Sequence, residues 1–164
     1  MIYIVDHQDS FTWNVVHQFS EFNDVYCSNY FDINKKMLDK ADTIVLSPGP
    51  GSPKDYPNTS RLYKKYKGRK KIIGICLGYQ QILYCEKGKI VQQKRIYHGY
   101  QSEVKIVNNK SIFSKNFEIT MRCCKTNIAM AFENKIDDIY GFQFHPESFL
   151  TTNGKILIKK ILSA

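Results

Sequence analysis

The sequence predicts an α/β fold: an open, mostly parallel sheet with helices on both faces and antiparallel additions in the C-terminal half. Three observations predict it. Short apolar runs alternate with helix-compatible stretches from Ile2 to Leu83, the pattern of parallel strands joined by crossover helices. Within that half, the run Ile72–Ile75 passes directly into the helix-compatible residues Leu77–Tyr84, so Cys76 falls at a sharp bend between strand and helix. Beyond Gly88 the pattern changes to short strand-like segments with brief turns, at 89–93, 102–107, 117–122, 127–132 and 138–144.

The elements follow in order. Residues 2–5 are a first strand, and Asp6–Ser10 a loop. Ser10 or Asp9 is positioned to cap a helix from Phe11 to Phe22, with an apolar stripe of Phe11, Val15, Val16, Phe19 and Phe22. Val25–Ser28 is a second strand, Lys35–Leu38 a brief helix and Thr43–Ser47 a third strand, which runs into Pro48-Gly49-Pro50-Gly51. A helix from about Asn58 to Lys67 leads to the strand before Cys76. Gly88 suits the stop of the helix after it. The tail Asn153–Leu162 carries Ile156, Leu157, Ile158, Ile161 and Leu162 as one amphipathic helix. No linker or repeat divides the 164 residues, so a single domain, 1–164, is expected.

Composition narrows the class. At 43% hydrophobic and 24% charged, the chain has the make-up of an ordinary globular protein. It has no apolar run of bilayer-spanning length, so no membrane role is expected. Its five cysteines are odd in number and contain no C-x-x-C pair, which argues against a disulfide framework or a zinc site and for the reducing cytoplasm. The net charge is +9, but the one dense basic run, Lys64-Lys65-Tyr66-Lys67 with Arg69-Lys70-Lys71, reads as a solvated helix end. No nucleic-acid motif accompanies it.

Chemistry gathers at Cys76. Gly74-x-Cys76-x-Gly78 is the nucleophile-elbow spacing with Cys in place of Ser: small neighbours relieve the crowding of a turn that pushes the sulfur out at the carboxyl edge of the sheet. A helix N-terminus beneath the sulfur favours a thiolate and aims N–H groups at an oxyanion. His145 also follows a strand, with Glu147 two residues on. Residues two apart in extended chain point the same way, so Glu147 is placed to orient His145 toward Cys76 as nucleophile, base and orienter. Gly49, Pro50 and Gly51 form a strand-end loop whose N–H groups can approach a ligand and complete an oxyanion hole with Leu77.

These motifs carry a family resemblance. Gly74-Ile-Cys76-Leu-Gly78-x-Gln80, Pro48-Gly49-Pro50-Gly51 and His145-Pro-Glu147-Ser148, in this order, resemble class I (triad) glutamine amidotransferases. Asp6-x-x-Asp9-Ser10-Phe11-Thr12-x-Asn14 and Ser148-x-Leu150-Thr151-x-x-Gly154 narrow the resemblance to the glutaminase subunits of chorismate-aminating enzymes, for anthranilate or for aminodeoxychorismate. His98-Gly99 also fits.

The resemblance implies that Cys76 is the nucleophile, His145 the general base and acid, and Glu147 its orienter. It gives Gly51 and Leu77 the oxyanion N–H groups, and Gln80 a contact to the L-glutamine substrate. It aligns Cys123-Cys124-Lys125-Thr126 with the segment whose backbone holds the ends of glutamine, which makes Lys125 and Thr126 substrate-binding. None of those four residues matches the family's Tyr-His-Ser-Leu-like segment. Tyr79 stands where the family usually has His, and His7 where it has Asn. The implied reaction needs no metal or other cofactor on this chain. It delivers ammonia to a chorismate-binding synthase subunit, in a heterodimer or heterotetramer, docked at Asp9-Ser10-Phe11 and Phe149-Leu150-Thr151. A non-catalytic regulatory subunit with an altered pocket and a stand-alone γ-glutamyl cysteine hydrolase are the competing readings.

Overall fold

The computed structural model describes residues 1–90, 103–110 and 116–164. Among the described residues, eight strands form one sheet in the order β2-β1-β3-β4-β8-β7-β6-β5. Strands β1 (Ile2–Asp6), β2 (Val25–Asn29), β3 (Thr43–Leu46), β4 (Lys71–Ile75) and β8 (Ile139–Phe142) run parallel. β7 (Ala129–Asn134), β6 (Glu118–Cys123) and β5 (Val104–Lys110) extend the sheet antiparallel beyond β8. The helices are α1 (Thr12–Ser20), α2 (Lys35–Lys40), α3 (Pro57–Tyr66), α4 (Leu77–Cys85) and α5 (Gly154–Leu162).

Strand alternation sorts the apolar residues to two faces. Tyr3, Val5, Ile44, Leu46 and Ile72 pack with Leu38 of α2, Leu62, Tyr63 and Tyr66 of α3, and Tyr79 and Ile82 of α4. Ile2, Ile4, Val45, Ile73 and Ile75 pack on the other face with Val15 and Phe19 of α1 and Ile158 and Ile161 of α5. With helices on both faces, the central strands read as near-continuous apolar runs.

Several boundaries differ from the sequence reading for identifiable reasons. α1 starts at Thr12, and the residue before it, Phe11, offers no side-chain cap. Asp9 acts one step earlier instead, its Oδ1 accepting the Phe11 N–H at 2.8 Å. The stop of α4 is a Schellman turn, in which Gly88 N–H donates to Leu83 O at 2.7 Å and Lys87 N–H to Tyr84 O at 3.1 Å. The left-handed residue is Lys87 (φ +62°), one place before the glycine. The expected strand at 89–93 falls mostly outside the described residues, as does His98-Gly99. The basic run is not all solvated: Lys71 is buried, its Nζ donating to Ile161 O at 2.5 Å and Ala164 O at 3.1 Å at the end of α5. Among the described residues, no helix is long and apolar enough to cross a membrane.

Candidate active site

The parallel strands β3, β4 and β8 end at one edge of the sheet, and each delivers part of the site there. Cys76 follows β4 directly. Its backbone sits at φ +52°, ψ −102°, a region that costs a non-glycine residue of order 1–3 kcal/mol. Close packing holds it there. A Cβ on Gly74 would lie 2.5 Å from the Gly78 carbonyl oxygen, and one on Gly78 would lie 2.1 Å from Leu46 O. The two glycines therefore let α4 press onto β3 and β4. The Cys76 N–H donates to Phe142 O at 2.7 Å, which ties the bend to the end of β8.

β8 then supplies the partners. His145 Nδ1 meets Glu147 Oε1 at 2.6 Å, so Nε2 is the ring nitrogen left to face Cys76. The Glu147 side chain is fully buried, and its Oε2 has no partner among the described residues. Burial disfavours a charged ring at His145, but the hydrogen bonds and charges of Cys76 and Glu147 outweigh it and push the imidazole up to about 10. The loop carrying these residues is fixed from behind. Thr151 Oγ1 donates to His145 O at 2.7 Å, and Gln18 Nε2 to Pro146 O at 2.9 Å. Gly154 lets α5 come in close, since a Cβ there would be 1.9 Å from Pro146 O.

β3 contributes the loop Pro48–Gly51. Gly49 packs into the elbow, where a Cβ would lie only 2.5 Å from His7 Cβ and 2.6 Å from Leu77 Cδ2. Pro50 O accepts the Tyr56 hydroxyl at 2.8 Å, and Gly51 turns at φ +74°. Among the described residues, no acceptor takes the N–H of Gly51 or of Leu77. His7 supports this loop as a buried neutral ring, its Nδ1 3.1 Å from Ser47 O and its Nε2 3.0 Å from Thr59 Oγ1. Burial pulls it down to about 4 against the Ser47 hydrogen bond and the Asp6 charge.

The other expected residues divide. Gln80 lies beside the bend, its Nε2 donating to Gln143 Oε1 at 3.1 Å. Lys125 and Thr126 are exposed in the β6–β7 turn, at the edge that also carries the end of β8. Neither hydrogen-bonds Cys76, His145 or Gln80. Thr126 hydrogen-bonds the Cys123 sulfur instead, which draws that thiol below its usual value. Tyr79 is a core residue, stacked on Phe132 with ring centroids 4.7 Å apart and donating to Ala129 O at 3.1 Å. Asp6 Oδ1 accepts from Gln8 N–H at 2.7 Å and from Thr12 Oγ1 at 2.8 Å, which shapes the first loop. That loop sets Phe11 over the site, its ring centroid 5.6 Å from that of His145.

A family model described as Glutamine amidotransferase class-I matches residues 3–164. The chain belongs to this family. Relatives include anthranilate synthase component 2 of Lactococcus lactis subsp. lactis (strain IL1403), 34% identical over 99% of this chain and 94% of that one. Anthranilate synthase component 2 of Buchnera aphidicola subsp. Schizaphis graminum (strain Sg) is 35% identical with the same coverage, 99% and 94%. The bifunctional protein TrpGD of Thermotoga maritima is 33% identical over 99% of this chain, which spans only 32% of that longer protein. Among solved structures, a protein from Thermoplasma acidophilum described as a GMP synthase subunit shares the fold at a TM-score of 0.83 and 22% identity, covering 99% of this chain and 92% of that one.

One residue at this amidotransferase's site escaped the sequence reading. Gln143 directs its Nε2 at Cys76 Sγ, 3.7 Å away. The signal was the two-residue spacing Gln143, His145, Glu147, which places all three toward one side of an extended segment.

Proposed function

We propose that this chain hydrolyses the side-chain amide of L-glutamine through Cys76 and passes the ammonia to a chorismate-aminating synthase subunit. The observation that carries the proposal is the strained bend at Cys76, tied to the end of β8, from which follow an imidazole and a buried carboxylate paired with it. An imidazolium against the sulfur favours the thiolate, the attacking form.

The Cys76 thiolate adds to the amide carbon, and the N–H groups of Leu77 and Gly51 receive the charge that develops on oxygen. As the C–N bond breaks, His145 gives its proton to the leaving nitrogen, and ammonia departs from a γ-glutamyl thioester. Water then attacks the thioester carbon while His145 takes the proton, the C–S bond breaks, and glutamate leaves. Glu147 holds the ring so that one nitrogen always faces the sulfur. Gln80 contributes a substrate contact, and the turn with Lys125 and Thr126 closes the glutamine pocket through its backbone.

The partner reading draws on the relatives' names and on the surface beside the site. Phe11, Phe149 and Leu150 are exposed there, Phe149 at 91%. Phe11 against His145, with Phe149 and Leu150 just beyond Glu147, suits a docked protein that shields ammonia from solvent. Both an anthranilate-forming and an aminodeoxychorismate-forming partner fit it. Glutamate release by the reconstituted pair tests the proposal: Cys76→Ser is expected to abolish it, and wild-type turnover by that variant would overturn the assignment.

A further inference from the structure

We infer that Gln143 is a second hydrogen-bond donor to the Cys76 sulfur, held in its donating sense by Gln80, and that it supports the thiolate independently of His145. The inference rests on the proposed hydrolytic role of Cys76. A glutamine amide has a donor end and an acceptor end, and only a neighbouring group decides which way it faces. Here Gln80 Nε2 donates to Gln143 Oε1 at 3.1 Å, so the acceptor end of Gln143 is taken. Its Nε2 is thereby turned to Cys76 Sγ at 3.7 Å, a length suited to N–H···S.

The backbone leaves little else free. Gln143 N–H donates to Met130 O at 2.9 Å, and Cys76 N–H to Phe142 O at 2.7 Å, so both main chains are pinned to adjacent strand ends. The sulfur is then met by the amide of Gln143, beside the imidazole that the proposed reaction assigns to it. They do different work. His145 must surrender its proton to the leaving nitrogen, whereas an amide N–H keeps its proton throughout and still faces the sulfur when the thiolate is expelled from the thioester. A reversed amide would set oxygen lone pairs against the thiolate. Gln80 prevents that reversal, which makes it a positioning residue even before glutamine arrives.

The test needs neither glutamine nor a partner. The rate at which iodoacetamide alkylates Cys76 in the full chain is followed across pH by mass spectrometry of its peptide. Gln143→Leu is expected to slow the reaction about tenfold at neutral pH and to move its pH profile to higher pH, as loss of a charge-assisted donor requires. Gln143→Glu, nearly the same shape but acceptor-only, is expected to move the profile further. A Glu variant with the wild-type profile overturns the inference, since packing alone would then explain Gln143. If the Gln143 variants do not fold, Gln80→Leu carries the test: a slower reaction supports the inference, and an unchanged profile overturns it. Wild-type Cys76 reacting no faster than the exposed Cys124 would instead overturn the hydrolytic role itself, and this inference with it.

Discussion

Replacing Gly78 by Ala tests how the elbow is built. The added carbon would lie 2.1 Å from Leu46 O and 2.8 Å from the Leu46 carbonyl carbon and Cβ. Ordinary contact begins at 3.4 Å, about 1.3 Å beyond the shortest of these. The obstacle is strand backbone, which has no rotamer to swing aside, so the N-terminus of α4 must lift from β3. Overpacking of this kind costs about 1–3 kcal/mol. At a urea slope of about 2 kcal/mol/M, the unfolding midpoint falls by about 0.5–1.5 M. The displaced atoms include the Leu77 N–H and the Cys76 sulfur, and misplacing reacting groups by about 1 Å costs about 100-fold in turnover. Urea unfolding followed by circular dichroism, beside glutamate release with the partner present, measures both. Gly88→Ala is the control at the far end of α4, where the added carbon meets Leu83 atoms at 3.0 Å and beyond. Its turnover should stay at the wild-type level. A Gly78→Ala protein with wild-type midpoint and turnover would refute the close-packing account of the bend.

Three further outcomes follow from the same geometry. His7 stays neutral in the fold down to about pH 4 but takes up a proton near 6.5 when unfolded, so its contribution is whole above pH 6.5 and lost as pH falls toward 4. His7→Asn should flatten that acid-side decline, worth about 3 kcal/mol across the window, in unfolding curves taken at several pH values. For His145 the sign reverses: its raised value gives stability that is present below pH 6.5 and lost as pH rises through about 10. Glu147→Gln removes one cause of that shift, so the alkaline loss should shrink, while turnover drops by about 10²–10⁴ as the ring loses its orienting carboxylate. Phe149→Asp should leave the unfolding midpoint of the isolated chain unchanged, since the side chain is 91% exposed, and should weaken capture of the synthase partner measured by titration.

Much of the fold could be read from the chain because its periodicities are clean. Ile2–Val5, Thr43–Leu46 and Ile72–Ile75 are apolar on both faces, as strands between two helical layers must be. The bend at Cys76 could be read from its glycines because close approach, not flexibility, demands them. Local geometry was harder. Asp9 accepts the Phe11 N–H ahead of α1 and leaves the helix start without a side-chain cap, and Lys87 takes the left-handed position although glycine follows it. Neither choice leaves a mark in hydrophobic pattern. Lys71 sits within a run of basic residues and looks solvated, yet carbonyls some ninety positions later satisfy it. Gln143 shows the same limit at the site: its spacing from His145 could place it, but the sense of its amide is set only when Gln80 arrives from α4. The Lys125–Thr126 turn was placed by resemblance alone, since two exposed polar residues in a short turn carry no pattern of their own that marks a substrate contact.

Acid quenching during turnover tests the central claim most directly. The chain and its synthase partner are mixed with glutamine, stopped in acid within the first turnovers, and digested for mass spectrometry. A γ-glutamyl thioester is expected on the peptide holding Cys76, absent from Cys76→Ser and carried by no other cysteine. Glutamate formed at the wild-type rate with that peptide unmodified, or with the Ser variant still active, would contradict the account.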